Sequence, residues 1–201
     1  MLQAQALAVE RGGKPLFSDI SFSMQAGDLM HVSGMNGTGK TTLLRMLCGL
    51  TLPSEGSLLW QQKDIHKHRD NFNSELLYIG HRSGMFGDLT AVENLKLASS
   101  THNDDDSQIQ AALTEIGLGP HSEKPMRLLS QGQQRRVSLA RLLLEERKLW
   151  ILDEPLTALD VNAVDWLVAH IIQHADNGGM AILTTHQQAA FIERVSVTVA
   201  L

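Results

Sequence analysis

Gly34-Met35-Asn36-Gly37-Thr38-Gly39-Lys40-Thr41 is the most informative stretch of this 201-residue chain. It matches G-x-x-x-x-G-K-[ST], the pattern of a phosphate-binding loop. Residues 29–33 before the loop read as a short strand, and residues 42–47 after it read as a helix. Strand, loop and helix in this order are the context that the motif needs. The sequence therefore predicts an α/β phosphate-loop fold.

The residue types in this loop suit the binding of a nucleotide. Glycines let backbone N–H groups curl around a phosphate, and the N-terminus of the following helix adds partial positive charge. Lys40 can reach the terminal phosphates, and the Thr41 hydroxyl can bind Mg²⁺. We therefore expect residues 34–42, with Thr42 as the last of them, to bind ATP.

Composition narrows the class of protein. A hydrophobic fraction of 43% can fill a core, and the single cysteine, Cys48, argues against a disulfide scaffold and suits a buried apolar position. The formal net charge is −5 without a basic tail, which disfavours nucleic-acid binding. The N-terminus lacks a signal-peptide pattern, and no apolar segment approaches the length of a membrane span. We expect any work at a membrane to be done through a partner.

Strands and helices alternate along the rest of the chain. Strand patterns at 2–10 and 16–24 flank a turn at Gly12-Gly13. Further strands are predicted at 56–61, 76–79, 149–152, 180–184 and 195–200, and a helix at about 160–175. The pattern from about 90 to 146 is helical, with an acidic solvated loop at 102–106 and a second break at 117–125.

A second motif is Leu149-Trp150-Ile151-Leu152-Asp153-Glu154. An apolar run that ends in carboxylates indicates a buried strand that delivers acids to the C-terminal edge of a sheet, where ligands bind. Asp153 is expected to orient Mg²⁺, and Glu154 is expected to accept a proton from attacking water. This ending alone is common, but it is a specific signal when it follows a phosphate loop.

The third motif is Leu129-Ser130-Gln131-Gly132-Gln133-Gln134-Arg135-Arg136. Ser130 is a good N-cap residue, and the small Gly132 exposes backbone N–H groups where a helix starts. The motif resembles the signature of the ABC (ATP-binding cassette) ATPases. The resemblance implies that Ser130, Gly132 and Gln133 contact ATP.

Two further positions match the same family. Leu156-Thr157-Ala158-Leu159-Asp160 resembles its D-loop, with Asp160 near the nucleotide, and His186 resembles the switch histidine that contacts the γ-phosphate. The resemblance spans nearly the whole chain and implies a single ABC-type nucleotide-binding domain, 1–201, with an antiparallel β edge and a helical insert at about 82–146. It also implies a head-to-tail homodimer, in which Ser130 and Gly132 complete the site of the facing copy.

The chain departs from the family pattern at two positions. An aromatic residue usually stacks on adenine, and the matching position here is Arg11; its guanidinium plane can stack on a base, or Arg11 is only a turn residue. The Q-loop Gln, which touches Mg²⁺ and water, has no counterpart because no Gln occurs from 63 to 107. His81 takes its place by position, and a neutral imidazole can accept a hydrogen bond or ligate a metal.

Several segments together resemble the haem-exporter branch of the family. They are Tyr78-Ile79-Gly80-His81, 129–141, 150–155 and 183–187. The resemblance implies a peripheral ATPase subunit at the cytoplasmic face of the bacterial inner membrane, with integral membrane partners of the cytochrome c maturation system. ATP hydrolysis would drive haem export or release of the haem-loaded periplasmic chaperone. Residues 82–98, with Met85, Phe86 and Leu89, are expected to contact the membrane partner; for Phe86 an ordinary packed loop position is the alternative.

Other functions stay open at this point. The chain could serve another small-substrate ABC transporter, act as a soluble ABC protein on DNA or ribosomes, or bind nucleotide as a regulator without turnover. Soluble members usually bring coiled-coil insertions, paired cassettes or basic arms, which this sequence lacks. Glu154 and His186 argue against a regulator. The histidine pairs 66/68 and 170/174 are expected to be solvated surface rather than haem ligands, because no dedicated ligand motif accompanies them.

Overall fold

A computed structural model describes residues 1–98, 106–186 and 190–201. Its strands are β1 (Leu2–Arg11), β2 (Lys14–Met24), β3 (Leu29–Ser33), β4 (Glu55–Trp60), β5 (Lys63–Asp64), β6 (Leu76–Ile79), β7 (Leu149–Asp153), β8 (Met180–Thr184) and β9 (Val197–Ala200). Its helices are α1 (Lys40–Leu47), α2 (Arg69–Asn73), α3 (Ala91–Ala98), α4 (Asp106–Glu115), α5 (Gln131–Leu139), α6 (Arg141–Leu144) and α7 (Val161–Asp176). Short 3-10 turns lie at Gly119–His121, Met126–Leu128 and Ala190–Arg194. Gln187 and residues 102–105 of the predicted acidic loop lie outside the described residues.

The described strands form one antiparallel and one parallel sheet. The four-stranded sheet has the order β2-β1-β4-β5, and the five-stranded sheet has the order β6-β7-β8-β3-β9. In the second sheet β3 is parallel to both β8 and β9, and β7 is parallel to β8. The predicted α/β class with parallel and antiparallel strands is confirmed. The antiparallel strands form a sheet of their own rather than an edge of the parallel sheet.

The hairpin of β1 and β2 follows from two glycines. Gly12 and Gly13 have φ values of +61° and +74°, and Arg11 pairs with Lys14 across the turn. Positive φ at both central positions is the geometry of a type I′ turn, which matches the twist of the flanking strands. The predicted turn is confirmed, and β2 begins two residues earlier than predicted.

The chain divides into two compact units, and each has its own core. The first contains residues 1–78, 147–154 and 168–201, and the second contains 79–146 and 155–167. Leucine and methionine side chains of the two sheets and α1 fill the first core. Side chains of α3, α4 and α5 fill the second, among them Leu95, Ile109 and Val137. No helix within the described ranges is both long and apolar enough to cross a membrane.

Some local predictions were wrong or incomplete. The short elements β5 and α2 were missed because each is too brief to show a period. Asp106 was assigned to a loop but begins α4. Residues 76–79 were expected to form a buried strand, yet Leu76 and Tyr78 are half-buried while Leu77 and Ile79 are buried. This alternation fits an edge position, because β6 is the first strand of its sheet.

Candidate active site

The phosphate loop joins the C-terminal end of β3 to the N-terminus of α1. Gly34, Gly37 and Gly39 all have positive φ, between +87° and +146°. A Cβ on Gly34 would lie 2.7 Å from the backbone oxygen of Leu201. Gly39 is the N-cap residue of α1 and has no side chain to accept from the first N–H groups of the helix. These donors and the helix dipole favour an anion at the loop.

Lys40 is a buried cation that lies against the loop. Its Nζ donates to the backbone oxygens of Gly34 at 2.8 Å and Met35 at 3.0 Å. Thr38 closes the same turn, because its Oγ1 donates to the Met35 oxygen at 2.9 Å. The ammonium group is therefore held beside the glycine backbone where a phosphate would bind.

A network of hydroxyl and carboxylate groups, with Asp153 and Thr184 buried at its centre, links α1 to the ends of β7 and β8. The hydroxyl of Thr41 donates to Asp153 Oδ2 at 2.8 Å, and the hydroxyl of Thr184 donates to Asp153 Oδ1 at 2.8 Å. The same Thr184 oxygen accepts from the backbone N–H of Glu154 at 2.8 Å. The structure thus brings Thr41, Asp153 and Glu154 together. Thr184 contacts both acidic residues, through the Asp153 side chain and the Glu154 backbone.

Glu154 has an unusual backbone conformation. Its φ is +50°, in the left-handed region that few residues other than glycine adopt. Such a conformation costs of order 1–2 kcal/mol for a residue with a Cβ. Non-glycine residues in this region are enriched at functional sites, where the surrounding structure fixes the strain. The hydrogen bond from its N–H to Thr184 is one such constraint.

His186 lies next to Glu154 and the phosphate loop. Its Nε2 is 3.1 Å from Asn36 Oδ1 and 3.4 Å from Glu154 Oε1. Both oxygens are acceptors in this geometry, so Nε2 carries the proton. About half of the His186 side chain is exposed. This N–H group lies beside the phosphate loop, and a phosphate oxygen that accepted from it would replace the contact with Asn36.

The donor set at Thr41 and Asp153 fits Mg²⁺. This ion prefers hard oxygen ligands and commonly takes only one or two from the protein, with water and substrate phosphates completing its shell. Within the part of the chain that the structure describes, no cluster of three or more His, Cys, Asp or Glu side chains is placed to hold a metal. A hydroxyl and a carboxylate beside a phosphate loop therefore suit Mg²⁺ bound together with a nucleotide.

The signature segment forms the capped start of α5. Gln133 N donates to Ser130 Oγ at 3.2 Å, and Ser130 N donates to Gln133 Oε1 at 2.9 Å, which is a capping box. The predicted N-cap is confirmed. A Cβ on Gly132 would lie 2.5 Å from the backbone oxygen of Ala158, which itself has a φ of +63°. Gly132 therefore permits close contact between the signature helix and the 156–160 segment.

The remaining predicted positions have varied environments. Asp160 Oδ1 accepts from Ala163 N at 2.9 Å and so caps α7. His81 is exposed and lines a cavity of about 550 Å³ in the second unit, together with Gln131, Arg135 and others. Arg11 is exposed at the end of β1. The roles proposed for these three residues stay predictions.

Sequence reasoning missed one residue of this site and one contact of another, and it misjudged a third residue elsewhere. Thr184 was read only as part of a strand, and no local signal marks it, because the acid that it contacts is Asp153, 31 residues earlier in the chain. Asn36 was assigned to phosphate binding, but its contact with His186 was not foreseen. His174 was expected to be solvated; instead its ring stacks on Trp150 with centroids 3.7 Å apart, and burial lowers its pKa.

The geometry defines a phosphate-loop nucleotide-binding protein with two carboxylate residues beside the loop. Comparison with known proteins agrees with this class of protein. A profile of the ABC transporter family matches residues 17–157. The chain is 48% identical to the cytochrome c biogenesis ATP-binding export protein CcmA of Escherichia coli K12, over 98% of this chain and 97% of that protein. This chain belongs to the ABC transporter family, as one of its ATP-binding subunits.

Solved structures support the fold. An ATP-binding subunit of an ABC transporter superposes with a TM-score of 0.88 at 23% identity, over 100% of this chain and 85% of that one. A dimeric ATP-binding cassette in a post-hydrolysis state, bound to ADP and phosphate, superposes with a TM-score of 0.81 at 20% identity, over 93% and 88%. At these identities the likeness establishes the ABC ATPase fold.

Proposed function

We propose that this chain is the ATP-hydrolysing subunit of an ABC membrane complex in cytochrome c maturation. The observation that carries the hydrolytic function is the network that joins Thr41, Asp153, Thr184 and Glu154 beside the phosphate loop. The likeness to the E. coli cytochrome c biogenesis protein over nearly both full lengths supports the pathway. Hydrolysis would be coupled to haem export or to release of the haem-loaded periplasmic chaperone.

Each residue of the network has a chemical task in this proposal. The N–H groups of the loop and the ammonium of Lys40 bind the β- and γ-phosphates. Thr41 and Asp153 would hold Mg²⁺, which would offset phosphate charge when bound. Glu154 accepts a proton from the attacking water, and the Nε2–H of His186 holds the γ-phosphate. The positive φ of Glu154 takes the backbone out of the extended path of β7 directly after Asp153.

The site is proposed to be completed by a second copy of the chain. In a head-to-tail dimer, Ser130, Gly132 and Gln133 of one copy would contact ATP on the phosphate loop of the other. A solved ATP-binding cassette of the same fold that is dimeric supports a dimer. Arg11 would stack on adenine, Asp160 would lie near the nucleotide, and His81 would take the Q-loop position beside Mg²⁺. The chain then works as one domain, 1–201, with residues 82–146 as its helical insert.

The proposed contact with integral membrane subunits lies in the second unit. Phe86 is 63% exposed, and its backbone is fixed, because its N–H donates to Asn94 Oδ1 at 2.7 Å and its oxygen accepts from Asn94 Nδ2 at 3.0 Å. Met85 and Leu89 beside it are half-buried. An exposed aromatic side chain on a backbone fixed in this way suits docking to an apolar partner surface. We place this contact at the cytoplasmic face of the inner membrane.

The proposal is tested in membranes that contain the chain and the cytochrome c maturation membrane subunits. Glu154→Gln should lower ATP hydrolysis by roughly a hundredfold or more while ATP binding is retained, and holo-cytochrome c should be lost from the same cells. If hydrolysis is lost but holo-cytochrome c forms normally, the chain is better explained as the ATPase subunit of another small-substrate ABC transporter. Unchanged hydrolysis in Glu154→Gln would show that Glu154 is not the general base.

A further inference from the structure

His31 is a half-buried histidine on β3 that contacts the segment carrying His186. It pairs with Leu183 of β8 in the parallel register, and its Nε2 lies 3.2 Å from the backbone oxygen of Thr185. A carbonyl oxygen only accepts hydrogen bonds, so the Nε2 of His31 carries the proton and donates. Thr185 immediately precedes His186 in the chain.

This hydrogen bond lies where the strand pairing ends. The last pair between β3 and β8 is Val32 with Thr184, so Thr185 and His186 lie beyond the ladder. The His31 side chain supplies a hydrogen bond to the backbone at this point, while Asn36 and Glu154 contact the His186 ring. The backbone before His186 and the ring of His186 are thus each held by contacts from neighbouring elements.

We propose that His31 is a positioning residue for His186, acting through the carbonyl group of Thr185. The inference rests on the proposed ATP hydrolysis, in which the His186 N–H holds the γ-phosphate. Without the His31 bond, the Thr185–His186 backbone gains freedom and the ring leaves its productive position for part of the time. Nucleotide affinity is maintained, because the loop and Lys40 are untouched.

The test compares His31→Leu, His31→Gln and, as a control at an exposed histidine, His68→Leu, in membranes with the partner subunits. His31→Leu should lower kcat about fivefold, the worth of one net hydrogen bond, with little change in KM. His31→Gln should recover most of this loss, because its amide N–H can donate to the same carbonyl. His68→Leu should match the wild type, and thermal unfolding of each variant separates these effects from a loss of folded protein.

A double variant shows whether His31 acts through His186. In the His186→Ala background, His31→Leu should cause no further loss of kcat, since coupled residues are not additive. An equal loss in both backgrounds would overturn the proposal, and so would equal kcat values for His31→Leu and the wild type. Equal losses in His31→Leu and His31→Gln would also overturn it.

A second readout does not depend on turnover. NMR of protein with ¹⁵N-labelled histidine rings should show altered His186 ring signals in His31→Leu and near-normal signals in His31→Gln. A wild type that does not hydrolyse ATP would refute the proposed function, but these signals would still decide the role of His31. Unchanged His186 signals in His31→Leu would overturn the proposal that His31 positions His186.

Discussion

Replacing Thr184 by Val removes one hydroxyl group from the centre of the site while keeping the side-chain shape. Thr184 is fully buried; its O–H donates to Asp153 Oδ1 at 2.8 Å, and its oxygen accepts from Glu154 N–H at 2.8 Å. A hydrogen bond to a charged group contributes about 1.5–3 kcal/mol, and a buried donor left without its acceptor costs about 1–3 kcal/mol. We expect Thr184→Val to lower the free energy of unfolding by about 3 kcal/mol, or Tm by roughly 6–12 °C at this size.

Thermal and urea unfolding measure this loss directly. Thr198→Val is the matched control, because Thr198 is exposed on β9 of the same sheet, and it should change stability by less than about 0.5 kcal/mol. Thr184→Ser keeps the hydroxyl and should recover most of the stability. A Thr184→Val variant that unfolds at the same temperature as the Thr198→Val control would show that the Thr184 hydroxyl does not stabilise the fold.

Other predictions concern the base, a buried histidine and the cysteine. Glu154→Gln should lower ATP hydrolysis by roughly a hundredfold or more. Glu154→Gly should be about 1 kcal/mol more stable than Glu154→Gln, because glycine adopts a φ of +50° without strain. A glycine variant that is less stable than Glu154→Gln would contradict this. Burial lowers the pKa of His174 from 6.5 in the folded protein, so its contribution to stability is complete above pH 6.5 and is lost as pH falls through the folded pKa. Unfolding from about pH 7 to 5 should therefore be less pH-dependent in His174→Gln, but unchanged in His68→Gln, which replaces an exposed histidine. Burial, reinforced by Asp153, raises the pKa of the Cys48 thiol, so a thiol reagent should label Cys48 only when the protein unfolds; labelling of the folded protein would disagree.

Much of the fold could be predicted because its signals are local. The phosphate loop is defined by spacing, the β1–β2 turn by two adjacent glycines, and β7 and β8 by unbroken apolar runs. These elements were placed within one or two residues of their observed bounds. Short elements such as β5 and α2 show no hydrophobic periodicity and therefore give no such signal.

The contacts of the site could be predicted less well, because they join residues that are far apart in the chain. Thr41 and Asp153 are individually readable from motifs, but nothing local indicates that Thr184 bridges Asp153 to the Glu154 backbone. Gly132 was expected to expose N–H groups, whereas its structural requirement is set by the carbonyl group of Ala158. His174 illustrates the same limit, since its stacking on Trp150 arises from tertiary packing.

The most direct test of the account compares wild type with Lys40→Ala in cells and membranes that hold the cytochrome c maturation subunits. ATP hydrolysis by the membranes and holo-cytochrome c in the same cells are scored together. Loss of both in Lys40→Ala is the predicted result, because Lys40 is the cation held at the phosphate loop. Loss of hydrolysis with normal holo-cytochrome c would contradict the pathway, and unchanged hydrolysis would contradict the site itself.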